Sequence, residues 1–286
     1  TFNNTNMGVR IARFGAPVVS GGDYLITNNT FNGGCTGGSG GTAKSCVNIG
    51  FTSPGHSGNV EVSHNTINNV VTGITITTLH DGIITYNTFT NFSGSDSRAI
   101  ATIGSINFTN YSYNTFKNSN NSNVYGIWHS TNSLNNTFQY NNFSNVTTAM
   151  ILAAASSTGN LISRNYFYQG SNVGSDWIIM NATLENNFMN DSMYGNWYEN
   201  GSSWNLAGNN GGYWNTTVNS TNYAWAGSNW SDQKPVSCFN GWNGNTSCIT
   251  IRTSNNTYNK TFIAQLAGNM NFNNCTLYTN KSGWAV

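Results

Sequence analysis

Nine carboxylates and four histidines supply nearly all the acid–base chemistry of this 286-residue chain. The acids are Asp23, Glu61, Asp81, Asp96, Asp176, Glu185, Asp191, Glu199 and Asp232. Paired carboxylates can cleave a glycosidic bond when they converge on one cleft. Asp23 and Asp81 precede similar apolar segments, with Asn59 at the matching place between them. Two strand spacings would set them about 9–10 Å apart, a separation that suits an inverting hydrolase. The same residue types are turn-formers, and that plainer role fits them better. Glu61 with His64, and His80 beside Asp81, read equally well as turn or surface groups. His56, His64, His80 and His129 do not cluster. No catalytic, cofactor-binding or metal-binding residue is therefore expected.

Asparagine offers a different chemistry. It makes up 53 of the residues, and twenty Asn-x-Ser/Thr sequons occur. Composition alone would produce about half of these, but the set leans toward an N-glycosylated extracellular protein. The expected acceptors are Asn3, Asn91, Asn107, Asn110, Asn120, Asn135, Asn145, Asn181, Asn190, Asn200, Asn215, Asn219, Asn229, Asn245, Asn255, Asn259, Asn274 and Asn280. Asn28 and Asn142 are set apart, because they stand inside the ladder turns and would be the poorest acceptors if their amides face inward. Cysteine spacing agrees with an oxidising compartment: Cys35 and Cys46 bracket a Gly/Ser-rich insertion, and Cys238 and Cys248 bracket a similar interval. Two disulfides are expected there. Cys275 is left over, either buried or available for a bond between chains.

The elements that position these groups follow from one repeat. Phe2, Phe31, Ile67, Phe89, Phe116, Phe143, Phe167 and Phe188 recur at intervals of 21 to 36 residues, flanked by Asn two residues before, two after, or both. A period of this size is the mark of stacked repeats. Each repeat adds a short strand such as Gly73-Ile74-Thr75-Ile76 and a second such as Val60-Glu61-Val62. Strands of three to five residues, three per repeat and separated by Gly, Asn and Ser, predict a parallel β-helix with a narrow apolar core. Asn at the corners both tolerates the left-handed conformation and can form an amide ladder between coils. The second-strand series also takes in Ile106-Asn107-Phe108 and Leu184. The fold class is all-β, a right-handed parallel β-helix of about eight coils over residues 1–194. A β-rich, aromatic-rich C-terminal capping or assembly module is expected over 195–286.

Only 7 % of residues are charged and the net charge is +1. This excludes the basic surface that nucleic acid or an anionic membrane requires. No apolar run is long enough to span a bilayer as a helix. The chain opens within a repeat and without a signal peptide, as expected of a mature form whose leader has been removed or of a trimmed chain.

The Asn-x-Phe-x-Asn repeats resemble those of NosD-like and related right-handed β-helix families. Asn210-Gly211-Gly212-Tyr213-Trp214-Asn215 is similar to an element that follows the coils in many archaeal surface members. The resemblance covers roughly residues 1–220 and implies the fold, while copper handling is not carried over because the histidines are scattered. An uncapped coil at Thr1, Phe2, Met7 and Val9 invites pairing with a second copy. The expectation is a secreted, glycosylated structural protein, its partners its own copies and covalent glycans, forming a filament or surface layer. Low charge would make that assembly insensitive to pH and salt. A polysaccharide-acting enzyme and a glycan-binding adhesin or spike stand as alternatives.

Overall fold

A computed structural model describes residues 1–3, 8–13, 23–35, 45–51, 59–92, 94, 96–117, 124–154, 157–169, 178–180 and 196–200. Beyond these it describes six short strands, the last of them Phe262–Leu266. The chain divides into two units, Thr1–Ser237 and Cys238–Val286. The described part of the second unit is one antiparallel pair, Ile249–Thr253 with Phe262–Leu266.

The first unit contains a parallel β-solenoid. Its first sheet holds seven strands, from Val9–Arg13 through Thr72–Ile76 to Ile178–Met180. The second holds six, from Tyr24–Thr27 to Leu161–Ser163, and the third holds eight, from Phe2–Asn3 to Trp197–Asn200. Neighbouring strands pair in parallel register, so equivalent residues of successive coils lie above one another. Alternation then does the sorting: Ile26, Val62 and Ile84 of the second sheet are buried, whereas Leu25 and Ile83 point outward. The inward third-sheet residues stack as flat rings, with centroids 5.0 Å apart for Phe89–Phe116 and 4.6 Å for Phe116–Phe143. Beyond the solenoid strands, Asn209–Asn210 pairs antiparallel with Tyr213–Trp214, and Val218–Asn219 with Ser231–Asp232.

A small-residue column makes room for these rings. Cys46, Gly73, Ala99, Gly126 and Ala149 each precede the inward residue of a first-sheet strand. A Cβ on Gly73 would fall 2.9 Å from the Phe89 ring, and one on Gly126 would fall 2.8 Å from Phe143. Cys46 fits this column and is disulfide-bonded to Cys35, with both side chains buried. Closing a loop of this length stabilises the fold by about 3 kcal/mol. Replacing both cysteines with alanine keeps the small side chain the column needs. Denaturant unfolding should therefore show that loss, and reductant should lower the wild type to the same midpoint. The pair Cys238 and Cys248, and Cys275, lie outside the described residues.

Two expectations about the strands are corrected. The eighth position of the aromatic column is Tyr198, which pairs with Phe167, and not Phe188. Phe188 and Asn186 lie outside the described residues. Asn-x-aromatic recurs at Asn196-Trp197-Tyr198, and the amide ladder continues through Asn196. The second sheet is continued by Asn110–Ser112 and Thr137–Gln139, and not by Ile106-Asn107-Phe108. There Tyr111 and Phe138 take the inward place between polar neighbours. Ile106–Asn107 joins Leu79–His80 and Ser133–Leu134 in a separate three-stranded sheet.

The corner asparagines divide their work. Asn65, Asn87, Asn114, Asn141 and Asn165 are buried, and each preceding residue (His64, Tyr86, Tyr113, Tyr140, Arg164) takes the left-handed turn instead. The Asn that follows the column, as at Asn69, Asn91 and Asn145, is left-handed itself. A second, shorter ladder runs through Asn136 and Asn160 at the entry to the second sheet. One residue type thus serves two needs. A buried amide uses both its donors and its acceptor, and an exposed corner uses its tolerance of positive φ.

Candidate functional surfaces

The acidic candidates each bond to a near neighbour. Asp23 accepts from Asn59 Nδ2 at 2.9 Å, which bears out their stacked placement. Asp81 sits in a left-handed turn with its carboxylate 2.6 Å from His80 Nδ1. Glu61 accepts from Ser63 at 2.5 Å, and Asp96 holds Arg98 at 3.0 Å. Asp176, Glu185 and Asp191 lie outside the described residues, and Glu199 and Asp232 are described only as strand members. Among the described residues no group of three His, Cys, Asp or Glu side chains could hold a metal ion.

Three features carry more information than the acids. The first is a column on the outer surface. His64, Tyr86, Tyr113 and Tyr140 stack in sequence, with ring centroids 4.9, 4.8 and 4.8 Å apart. Arg164 closes the row, its guanidinium 5.5 Å from the Tyr140 ring centre and donating to the Tyr140 hydroxyl. Packing within this row pushes the Tyr113 phenol upward through partial burial, reinforced by Tyr140 and Tyr86. Because the rings cover one another's faces, they turn edges and hydroxyls outward. The row is missed in sequence because left-handed corners advertise themselves as Asn or Gly, whereas here tyrosine fills them.

The second is Arg98, whose guanidinium carbon lies 2.9 Å from the Trp128 ring centre. Burial lowers its pKa against the opposing pull of Asp96, and among the described residues both Arg98 Nε and Trp128 Nε1 are buried without a hydrogen-bond partner. The third is His129, fully buried edge-on to Tyr111 and Phe138, at 5.4 and 5.5 Å between centroids. Among the described residues, both its ring nitrogens and the Tyr111 hydroxyl lack a hydrogen-bond partner. Burial pushes the imidazole pKa down to about 3.

The expected glycan acceptors sort by geometry. Asn3, Asn91, Asn110 and Asn135 are exposed, and Asn107 and Asn145 are half-buried. Asn91 already donates its Nδ2 to Asn68 at 2.9 Å. Asn28 is exposed at a left-handed turn, so the condition of an inward amide is not met there; its neighbour Asn29 takes the ladder position. Asn142 is buried on the outer side of its strand and accepts from Ser144 at 2.7 Å. Asn120, Asn181, Asn190, Asn215, Asn229, Asn245, Asn255, Asn259, Asn274 and Asn280 lie outside the described residues, and Asn200 and Asn219 are described only as strand members.

Comparison with known protein families, with curated proteins and with solved structures found no match. The surfaces have to be read from their own chemistry. Among the assembly candidates, Thr1 is exposed, Phe2 and Val9 are half-buried, and Met7 lies outside the described residues. The strands Phe2–Asn3, Val9–Arg13 and Tyr24–Thr27 each have one hydrogen-bonded neighbour in their sheet. Phe2 lies flat on Phe31, with 4.7 Å between centroids and 6° between planes. No helix among the described residues is long and apolar enough to cross a membrane.

Proposed function

We propose that this protein is a secreted, N-glycosylated structural solenoid whose copies join end to end into an extracellular filament or surface layer. The supporting observation is the stack itself: strands of successive coils pair in parallel register across three sheets, so each coil presents the next with a strand edge and a flat aromatic ring. Edges of this kind are the usual template for strand addition, and a head-to-tail contact that does not close yields a filament. The Cys35–Cys46 bond and the exposed sequons support an oxidising, extracellular setting. The Asn-flanked aromatic column is the basis for proposing kinship with NosD-like and archaeal surface β-helix proteins.

Light scattering and electron micrographs of the purified protein test assembly. Rods that lengthen with concentration are expected. Phe2→Lys should shorten or abolish them while leaving circular dichroism unchanged, because a charge at the edge blocks strand pairing. A wild type that stays monomeric at high concentration and shows no rods overturns the proposal. Release of sugar from a polysaccharide panel, lost in an Asp81 or Glu61 variant, would favour an enzyme instead.

A further inference from the structure

Among the described residues, all the exposed large apolar side chains stand on or beside one face. Leu25 and Ile83 point outward from the second sheet, Tyr86 and Tyr113 follow its strands, and Phe108 precedes one of them. Phe108 is 53 % exposed at a φ of 53°, an uncommon and costly conformation for a bulky residue. Its ring lies 5.1 Å from that of His80, tilted by 53°, and the next strand in register carries the exposed Ile83. An exposed aromatic held in such a turn marks a surface that something covers.

Asn110 stands on this face, paired in register with Ile83 on one side and Thr137 on the other. It follows Phe108 by two residues and begins the sequon Asn110-Tyr111-Ser112. The strand's alternation buries Tyr111 and turns Asn110 outward, and the hydroxyl of Ser112, itself buried, donates to Asn110 Oδ1. Asn110 Nδ2, the atom a glycan would occupy, makes no hydrogen bond among the described residues. The other described sequons lack this combination. Asn91 Nδ2 is engaged, Asn142 is buried, and two residues before Asn135 stands the buried Ser133.

We propose that Asn110 carries an N-linked glycan whose first sugar lies over Phe108 and Ile83, making carbohydrate the cover of the second-sheet face. This rests on the reading of the protein as a glycoprotein. In the transfer, Asn110 Nδ2 bonds to C1 of a lipid-pyrophosphate-linked oligosaccharide supplied by the host. The C1–oxygen bond breaks, the lipid pyrophosphate leaves with the electron pair, and Nδ2 gives up one proton. The apolar C–H face of the pyranose meets the Phe108 ring and the Ile83 side chain. The outward hydroxyls of Tyr86 and Tyr113, one coil apart, offer hydrogen bonds to sugars further along.

The full chain should be secreted from a host that N-glycosylates and mapped by glycopeptide mass spectrometry. Occupancy of Asn110 in most molecules is expected. Asn110→Gln should lower the melting temperature by a few degrees and raise the binding of a hydrophobic dye at least about twofold. Phe108→Ala should do the same alone but add little in the Asn110→Gln background, because the two partners of one contact do not add. Glycans at other sequons with Asn110 bare overturn this inference alone, as does full additivity of the two variants. No glycan at any sequon overturns the glycoprotein reading as well.

Discussion

Replacing Asn114 with leucine is expected to cost about 3–6 kcal/mol, several times the loss from Asn69→Ala. Asn114 is fully buried, and every polar atom of its side chain is used. Its Oδ1 accepts from the backbone N–H of Asn87 at 3.0 Å and from Asn87 Nδ2 at 3.1 Å. Its Nδ2 donates to the Ile84 carbonyl at 2.7 Å and to Asn141 Oδ1 at 3.1 Å. Leucine would fill the space but leave the backbone N–H and one Nδ2 hydrogen of Asn87 without an acceptor, and the Ile84 carbonyl one donor short, away from water. Each orphaned group costs about 1–3 kcal/mol. Asn69 is exposed and holds a φ of 56°, so alanine there meets chiefly the left-handed penalty, about 1–2 kcal/mol, and loses one long, exposed bond from Nδ2 to Asn32 Oδ1 at 3.4 Å. Denaturant unfolding of the two variants separates the roles. Equal losses would show that corner geometry, and not the amide ladder, is what the asparagines provide.

Stability is expected to fall in acid because of one core residue. The folded-state pKa of His129 is depressed to about 3 by complete burial, against 6.5 for the free side chain. As pH drops below 6.5 the unfolded chain takes up a proton that the folded chain refuses. The stabilisation is therefore complete above that value and is lost progressively down to about pH 3, at about 1.4 kcal/mol per pH unit. The group facing the ring from the second sheet, Tyr111, stays neutral throughout, its pKa raised by burial. His129→Leu should flatten the curve between pH 3 and 6.5. It should also raise stability near neutrality, since leucine already fills the same column one coil on, at Leu152, and the two unpaired nitrogens disappear. A variant with the wild-type acid slope would show that other groups carry it. The expected indifference to acid from low charge thus has an internal exception.

What the sequence revealed and concealed follows from what repeats. Phe31, Phe89, Phe116, Phe143 and Phe167 occupy one inward column, and a narrow core admits few other sizes there, so the period was readable before any coordinates. Tyr111 and Phe138 escaped notice because each sits between polar neighbours, while the nearby Ile106 imitates the expected aliphatic strand. Tyr86, Tyr113 and Tyr140 escaped for another reason: a left-handed tyrosine has no propensity signal, and its place is set by the ring below it. The outer faces obey no such periodic demand. The exposure of Phe108 and the unbonded Nδ2 of Asn110 among the described residues become visible only in the register of the strands.

The amide ladder also gives the stack of coils a direction. From Asn29 to Asn196, donors of one coil point to the Oδ1 of the next, and the sense never reverses. The side-chain dipoles therefore add along the axis instead of cancelling. Copies joined head to tail would extend one electrical polarity through the whole assembly, and copies joined head to head would set like poles against each other. A polymer of this protein would be a polar material, distinguishable end from end even where its surface looks the same.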